Sequence, residues 1–282
     1  MDNIKSKNKI NPKLLIKTKR GLFLNSSGEH SSIFNGDGLD FKEIRQYDSG
    51  DDIRHVNWKV TARSGMPSVN IFNEDKQLNI VLVYLNSGSI YFGSNRSKQD
   101  TMVETMTILG NTALQKNDIL STLFFAKDQQ AFIKPIKKQK IVNSNIDLAY
   151  ELNPLGNNID YKKLEFVLMN KIRQKSLIFL IGDFLDIPDF KVLSKKHEVF
   201  CVVVRDRLEE DLKLTGEFNF VDTASMDNET IYLDEKTIKK YNNLMIEHDK
   251  ELFNSFRKSK IKYKKIYTND DVVKQLQILV KR

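Results

Sequence analysis

From residue 77 onward the chain alternates between two kinds of hydrophobic pattern. "QLNIVLVYLN" (77–86), "DILSTLFFAKD" (118–128), "SLIFLIGDFLD" (176–186) and "VFCVVVRD" (199–206) are short, nearly continuous apolar runs rich in β-branched residues. Such runs predict strands buried on both faces. Between them, "SKQDTMVETMTILGNTALQKN" (97–117) places Met102, Met106, Leu109 and Ala113 at helical spacing, with Asn117 and Asp118 closing the helix. "DYKKLEFVLMNKIRQK" (160–175) is a second amphipathic helix, capped by Asp160. "DFKVLSKKHE" (189–198) reads as a short helix, and residues 235–259 as a long one with apolar positions at 238, 241, 244, 245, 252 and 256. "QAFIKPI" (130–136) and "KIKYKKIYT" (260–268) supply further strands, and "DDVVKQLQILVKR" (270–282) a last helix.

Strands alternating with helices predict an α/β fold, a mainly parallel sheet flanked by helices on both faces. Functional groups in such sheets gather at the carboxyl ends of the strands. Residues 1–75 do not follow the alternation and are expected to form an N-terminal extension to a domain spanning 76–282.

Composition narrows the picture. At 282 residues the chain can bury a sizeable core without metals or disulfides. Cys201 is the sole cysteine and sits in an apolar run, which predicts a buried, inert thiol and excludes an intramolecular disulfide. The basic N-terminal segment lacks the apolar core of about 7–15 residues found in a signal peptide. No stretch approaches the roughly 20 apolar residues of a membrane span. A cytoplasmic protein is expected. The formal charge of +8 is spread along the chain, with local clusters only at "KPIKKQK" (134–140) and "RKSKIKYKK" (257–265). In the second cluster Ile261, Tyr263 and Lys265 alternate with lysines, as in a half-buried strand with a solvated face, so no DNA or RNA partner is expected, with a basic binder of nucleic acid or a membrane surface as the alternative.

Two segments carry candidate chemistry. The first is "GLDFKEIRQYDSGDDIRHVNWKVTARSG" (38–65), which includes the lone tryptophan. It predicts a turn at Ser49-Gly50 and then a helix, with Asp51 as cap and Asp52 in the first turn. Ile53, Val56, Asn57 and Val60 would share one face, and Arg54, Trp58 and Arg63 would meet Glu43, Asp40 or Asp52. One reading is a charge-paired clasp holding the N-terminal segment. Another is a protein-docking surface built on Arg45, Arg54, Trp58 and Arg63, since arginine and tryptophan dominate interface hot spots. A third is a magnesium nuclease, in which Asp52 and Glu74-Asp75 hold the metal and Lys76 orients the attacking water. His30, His55, His197 and His248 show no ligand spacing. "GDG" at 36–38 has no strand before it, and no phosphate-binding loop is present.

The second segment is "LNSGS" (85–89) at the end of the first predicted strand, with "GDF" (182–184) closing a later one. Together with residues 36–75, these resemble a bacterial family known as domain of unknown function fifty-eight, which contains a von Willebrand factor A-like domain. The matching positions are Gly38, Phe41, Glu43, Arg45, Tyr47, Gly50, Asp51, Asp52, Arg54, Trp58, Ala62 and Arg63, and the likeness runs on through "VVVRDRLEEDL". The resemblance implies a non-enzymatic protein-binding module that works with a MoxR-type AAA+ ATPase on a client protein. It also implies a metal-ion-dependent adhesion site, in which Ser87 and Ser89 match the two serines and Asp183 the later aspartate. Leu85 stands where that motif has its first aspartate, and Asn157 or Asn158 where it has a threonine. Asn86 lies one step along the strand, facing the opposite way. A hard cation such as Mg2+ wants oxygen ligands with a carboxylate among them, so no cofactor is expected, with Mg2+ as the alternative. Binding is expected at Ser87, Ser89, Asn157 and Asp183 together with the 45–63 segment.

Overall fold

The computed structural model describes residues 39–74, 77–221, 223 and 227–281. They form two compact units, one ending at Leu78 and the other beginning at Asn79.

In the smaller unit, β1 (Leu39–Gln46) pairs antiparallel with β2 (Ser68–Glu74), with a register shift between Phe41 and Glu43. The connection differs from the single helix expected there. A short 3-10 turn (Ile53–His55) is capped by Asp52, and α1 (Trp58–Ser64) begins afresh with Asn57 as its cap. The cause is local. Val56 bridges to Val69, and the Asn57 amide donates to the Ser68 carbonyl at 2.8 Å, so this stretch is extended. The Asn57 side chain then accepts from the Val60 amide at 3.1 Å and donates to Asn70 at 2.8 Å. An asparagine offered these partners leaves the helix to cap the next one. Asp51 therefore does not cap a helix; its carboxylate instead accepts the Asp48 amide at 2.9 Å. Ile53, Val56, Asn57 and Val60 do not share one helical face.

The larger unit is built on six strands, β3 (Asn79–Leu85), β4 (Ile119–Phe125), β5 (Gln129–Ile136), β6 (Leu177–Gly182), β7 (Glu198–Arg205) and β10 (Lys262–Tyr267). Their order is β10-β7-β6-β3-β4-β5. All pairs are parallel except β4 with β5 at one edge. One face packs Val81, Val83, Leu85, Leu180, Cys201 and Val203 against α4 (Tyr161–Lys171), α5 (Lys191–Lys196) and α7 (Glu235–Lys258). On the other lie α2 (Lys98–Gln115), α3 (Lys140–Glu151) and α8 (Val272–Lys281). The mainly parallel sheet flanked by helices is the architecture that the alternating pattern predicts.

Helix α2 is buried almost all round, because α3 and α8 pack beside it. Its buried threonines return their hydroxyls to the helix: Thr105 donates to the Thr101 carbonyl at 2.8 Å and Thr107 to Val103 at 2.7 Å. This satisfies polar groups inside a helix that has little solvent-facing surface. Cys201 is fully buried, and burial pushes its thiol pKa up. Helix α3, the short α6 (Arg207–Glu210) and the antiparallel hairpin β8 (Gly216–Val221)–β9 (Asn228–Leu233) are elements the sequence pattern did not announce.

Candidate functional site

The strand order places the site. From β3 the chain leaves toward β4 on one side and later sets β6 on the other, so the loops after β3 and β6 diverge. A crevice at such a reversal is where open α/β sheets present ligand groups. Ser87 and Ser89 follow β3, and Asp183 follows β6.

Strand β3 ends with its pairing extended by one bond, from the Asn86 amide to the Phe125 carbonyl at 2.8 Å. The chain then turns through a 3-10 segment, Gly88–Tyr91. Three loops meet at Gly88. Its amide donates to the Asn157 carbonyl at 2.9 Å, and a Cβ at this position would stand 2.2 Å from the Thr223 carbonyl oxygen. Only glycine permits that approach. Asn157 thus reaches the site through its main chain, while its side-chain amide turns back to the Asn153 carbonyl at 2.9 Å.

On the opposite bank, Gly182 closes β6 with Leu85 packed on it; a Cβ there would lie 2.8 Å from the Leu85 Cβ. Phe184 holds a left-handed backbone, φ 50°, a conformation costing a non-glycine residue about 1–3 kcal/mol. Rings of Tyr161 and Phe256 pack on its side chain, and Arg205 Nη2 donates to its carbonyl at 3.4 Å. The surrounding structure therefore fixes the direction in which Asp183 points.

Asp183 Oδ2 is the centre of the arrangement. Ser87 Oγ donates to it at 3.1 Å, Ser89 Oγ donates to it as well, and the two hydroxyl oxygens are 3.1 Å apart. The Lys98 ammonium lies 3.5 Å from the same oxygen and 2.5 Å from Glu209 Oε1. Arg205 donates through Nη1 to the Asp183 carbonyl. Lys98, Asp183 and Arg205 are all buried. Burial alone would raise the Asp183 pKa. The charges of Lys98 and Arg205, with the Ser89 and Ser87 hydroxyls, outweigh it and hold the carboxyl below the ordinary range. The opposite charges of this cluster are paired within the chain, while Arg205 Nε is buried without a hydrogen-bond partner.

The residues present do not suit a divalent cation. Leu85, at the position of the motif's first carboxylate, belongs to the apolar core with Val83 and Phe125. Asn86 turns away to Gln130 Oε1 at 2.9 Å. Asp183 alone among the motif positions offers a carboxylate, and an ammonium already stands against it. Among the described residues no group of three or more His, Cys, Asp or Glu side chains is arranged to hold a metal.

The other predicted residues lie in the smaller unit. Arg45 makes a bidentate pair with Asp51 at 2.8 and 2.9 Å, and Arg54 grips Asp52 at 2.6 Å. The Arg54 hydrogen bond holds the Asp52 carboxyl well below its usual range. Both arginines and Arg63 are exposed, and Trp58 is 69% exposed. Asp52, the first carboxylate of the nuclease reading, is therefore engaged by Arg54. Asp75 and Lys76 lie outside the described residues, and of Glu74 only the backbone in β2 is described.

Two of the six basic residues in the 257–265 cluster are paired locally. Lys262 pairs with Glu198 at 3.2 Å, and Lys265 pairs with Asp249 at 2.6 Å and Glu210 at 2.8 Å. Sequence reasoning missed Lys98, Arg205 and Glu209. Two signals could have found the first two. A lysine opens a helix, where an acidic residue is favoured, and an arginine follows the wholly apolar run 199–204 at the end of its strand.

Comparison with known proteins gives three results. The chain is 26% identical over 218 residues to the uncharacterized protein Rv1480 of Mycobacterium tuberculosis strain H37Rv, and equally to Mb1516 of Mycobacterium bovis. The match takes in 70% of this chain but only 65% of those relatives' length. Among solved structures it is similar to the conserved hypothetical protein BatB from Bacteroides thetaiotaomicron, at 11% identity and a TM-score of 0.46 over 73% of this chain and 100% of that one. It is also similar to an aerotolerance-related membrane protein from Bacteroides fragilis, at 14% identity and a TM-score of 0.43, over 72% and 96%. No helix among the described residues is long and apolar enough to cross a membrane. The family model described as "Protein of unknown function DUF58" matches residues 43–251, well over half of the 282-residue chain, and the chain belongs to that family.

Proposed function

We propose that this chain is a non-enzymatic, von Willebrand factor A-like protein-binding module that docks on a MoxR-type AAA+ ATPase and helps it act on a client protein. The observation that carries the binding part is the composition of the two loops leaving the switch point. Tyr91 and Phe92 after β3, and Leu185 and Ile187 after β6, are all exposed. The Ser87 and Ser89 hydroxyls and the Lys98 ammonium at the same strand ends are spent on Asp183 rather than directed at a substrate. Exposed apolar side chains on two loops that leave the same end of the sheet suit protein contact better than catalysis. Ser87 and Asp183, being buried, would shape this surface, whereas Ser89 and Asn157 are partly accessible. The von Willebrand label is supported by the strand order with its antiparallel edge, and by the Ser-x-Ser loop meeting Asp183. The identity of the ATPase rests on the family resemblance.

Capture of the tagged protein from its native cells, with and without ATP, tests the reading. Mass spectrometry should recover an AAA+ ATPase with the wild type and lose it with a Tyr91→Ala, Phe92→Ala, Leu185→Ala variant that melts like the wild type. Recovery of nucleic acid and no ATPase would sink it.

A further inference from the structure

Lys98 is the first residue of an eighteen-residue helix and none of its side chain is exposed. Two costs oppose an ammonium there. It sits at the positive end of the helix dipole, and it has surrendered its hydration shell. Such a group persists only where carboxylates surround it, and here there are two, Asp183 at 3.5 Å and Glu209 at 2.5 Å. The loop is built over it. The Lys98 amide donates to the Phe92 carbonyl at 2.9 Å, and the Phe92 ring centre lies 6.0 Å from the ammonium.

At a divalent-ion site of this kind, the metal would stand beside the Asp183 oxygen and take the two serine hydroxyls as ligands. Here the hydroxyls donate to that oxygen, and the positive charge arrives on a side chain. We propose that the Lys98 ammonium is a built-in cation that takes the place of a divalent ion, so that the Ser87–Ser89–Asp183 arrangement is assembled without metal. The first strand's carboxylate is then dispensable, because Asp183 and Glu209 already supply more negative charge than a single ammonium carries. This explains how Leu85 can join the apolar core while the two serines and the later aspartate keep their places. It holds whether or not the partner is an ATPase.

Thermal unfolding of the full chain, in EDTA and in millimolar MgCl2 or MnCl2, tests the idea. The wild type should melt at one temperature in all three. Lys98→Met and Asp183→Asn should each lower that temperature, and the double variant should fall by clearly less than the sum of the two. Mn2+ should raise the melting temperature of Lys98→Met, and Asp183→Asn in the same chain should abolish the rise. A wild-type melting temperature that climbs with Mg2+ or Mn2+ and depends on Asp183 would overturn the proposal, as would additive losses in the double variant. Should Lys98→Met fail to fold, return of folded protein on adding Asp183→Asn supports the pairing. Failure to return, when Asp183→Asn folds alone, refutes it.

Discussion

The Arg205 guanidinium donates to the main-chain carbonyl of Asp183 while Lys98 approaches the carboxylate of the same residue, so one aspartate is held at both ends. Arg205 also reaches the Phe184 carbonyl at 3.4 Å and lies 3.7 Å from Asp249 Oδ1. It fixes the loop after β6 to the buried face of α7. Arg205→Ala would strand two carbonyls and weaken the balance at Asp249. Removing one member of a buried charged set costs about 3–5 kcal/mol. Arg205→Lys should not recover it, because one ammonium cannot serve partners spread across a planar fork. Urea unfolding of both variants measures the loss, and a change below about 1 kcal/mol, the range of ordinary substitutions, would show the loop to be held by other means.

Trp58 presents the opposite case. As a core residue its truncation would cost about 3–5 kcal/mol. At 69% exposure, Trp58→Ala should move stability by no more than about 0.5 kcal/mol. If the 45–63 segment is a docking surface, the same substitution should abolish capture of the partner without changing the melting curve. An unfolded Trp58→Ala protein would instead return that residue to a structural role.

These two residues also mark the limit of what the sequence discloses. Strands such as 177–182 and helices such as 235–258 are legible because burial on both faces, or on one stripe, leaves a periodic trace. Ser87, Ser89 and Asp183 are legible because they sit at strand ends and resemble positions of a family motif. Asn57 is not: whether an asparagine stays in a helix or caps the next depends on Ser68 and Asn70, more than ten residues away. Helix α3 hides because "KIVNSNIDLAYE" mixes asparagines and a serine into its apolar stripe. The hairpin 216–233 hides because most of its side chains are exposed and so leave no burial pattern. Lys98 looks like a surface lysine until the fold brings Asp183 and Glu209 to it from about a hundred residues along the chain.

A pH dependence follows from Asp249 and Lys265, which pair at 2.6 Å between α7 and β10. Partial burial would raise the Asp249 pKa, but His248, Lys265 and Arg205 outweigh it and bring the value down to about 2. The folded pKa is below the unfolded one, so this carboxylate contributes stability that is complete above pH ~4 and is lost as pH falls toward 2. Asp249→Asn should be less stable than the wild type at neutral pH, and the gap should narrow on acidification through that window. A gap that stays constant down to pH 2 would mean that the ion pair contributes nothing.

The last prediction concerns Leu85, which stands where the adhesion-site motif has its first aspartate. Leu85→Asp would restore the missing carboxylate by sequence, and on motif grounds alone it should create a magnesium site. The packing argues otherwise. Leu85 faces Val83, Phe125 and Phe184 in the core and lies against Gly182, where a Cβ would be only 2.8 Å away. A carboxylate there would be buried among apolar side chains, while Lys98 is already balanced by Asp183 and Glu209. An uncompensated buried charge costs several kcal/mol, and the lost leucine adds about 2–5 kcal/mol. Leu85→Asp should therefore be strongly destabilised, and millimolar Mg2+ should not restore its melting temperature. Rescue by Mg2+ would show that the ammonium can be displaced and that the loop retains a metal-binding geometry.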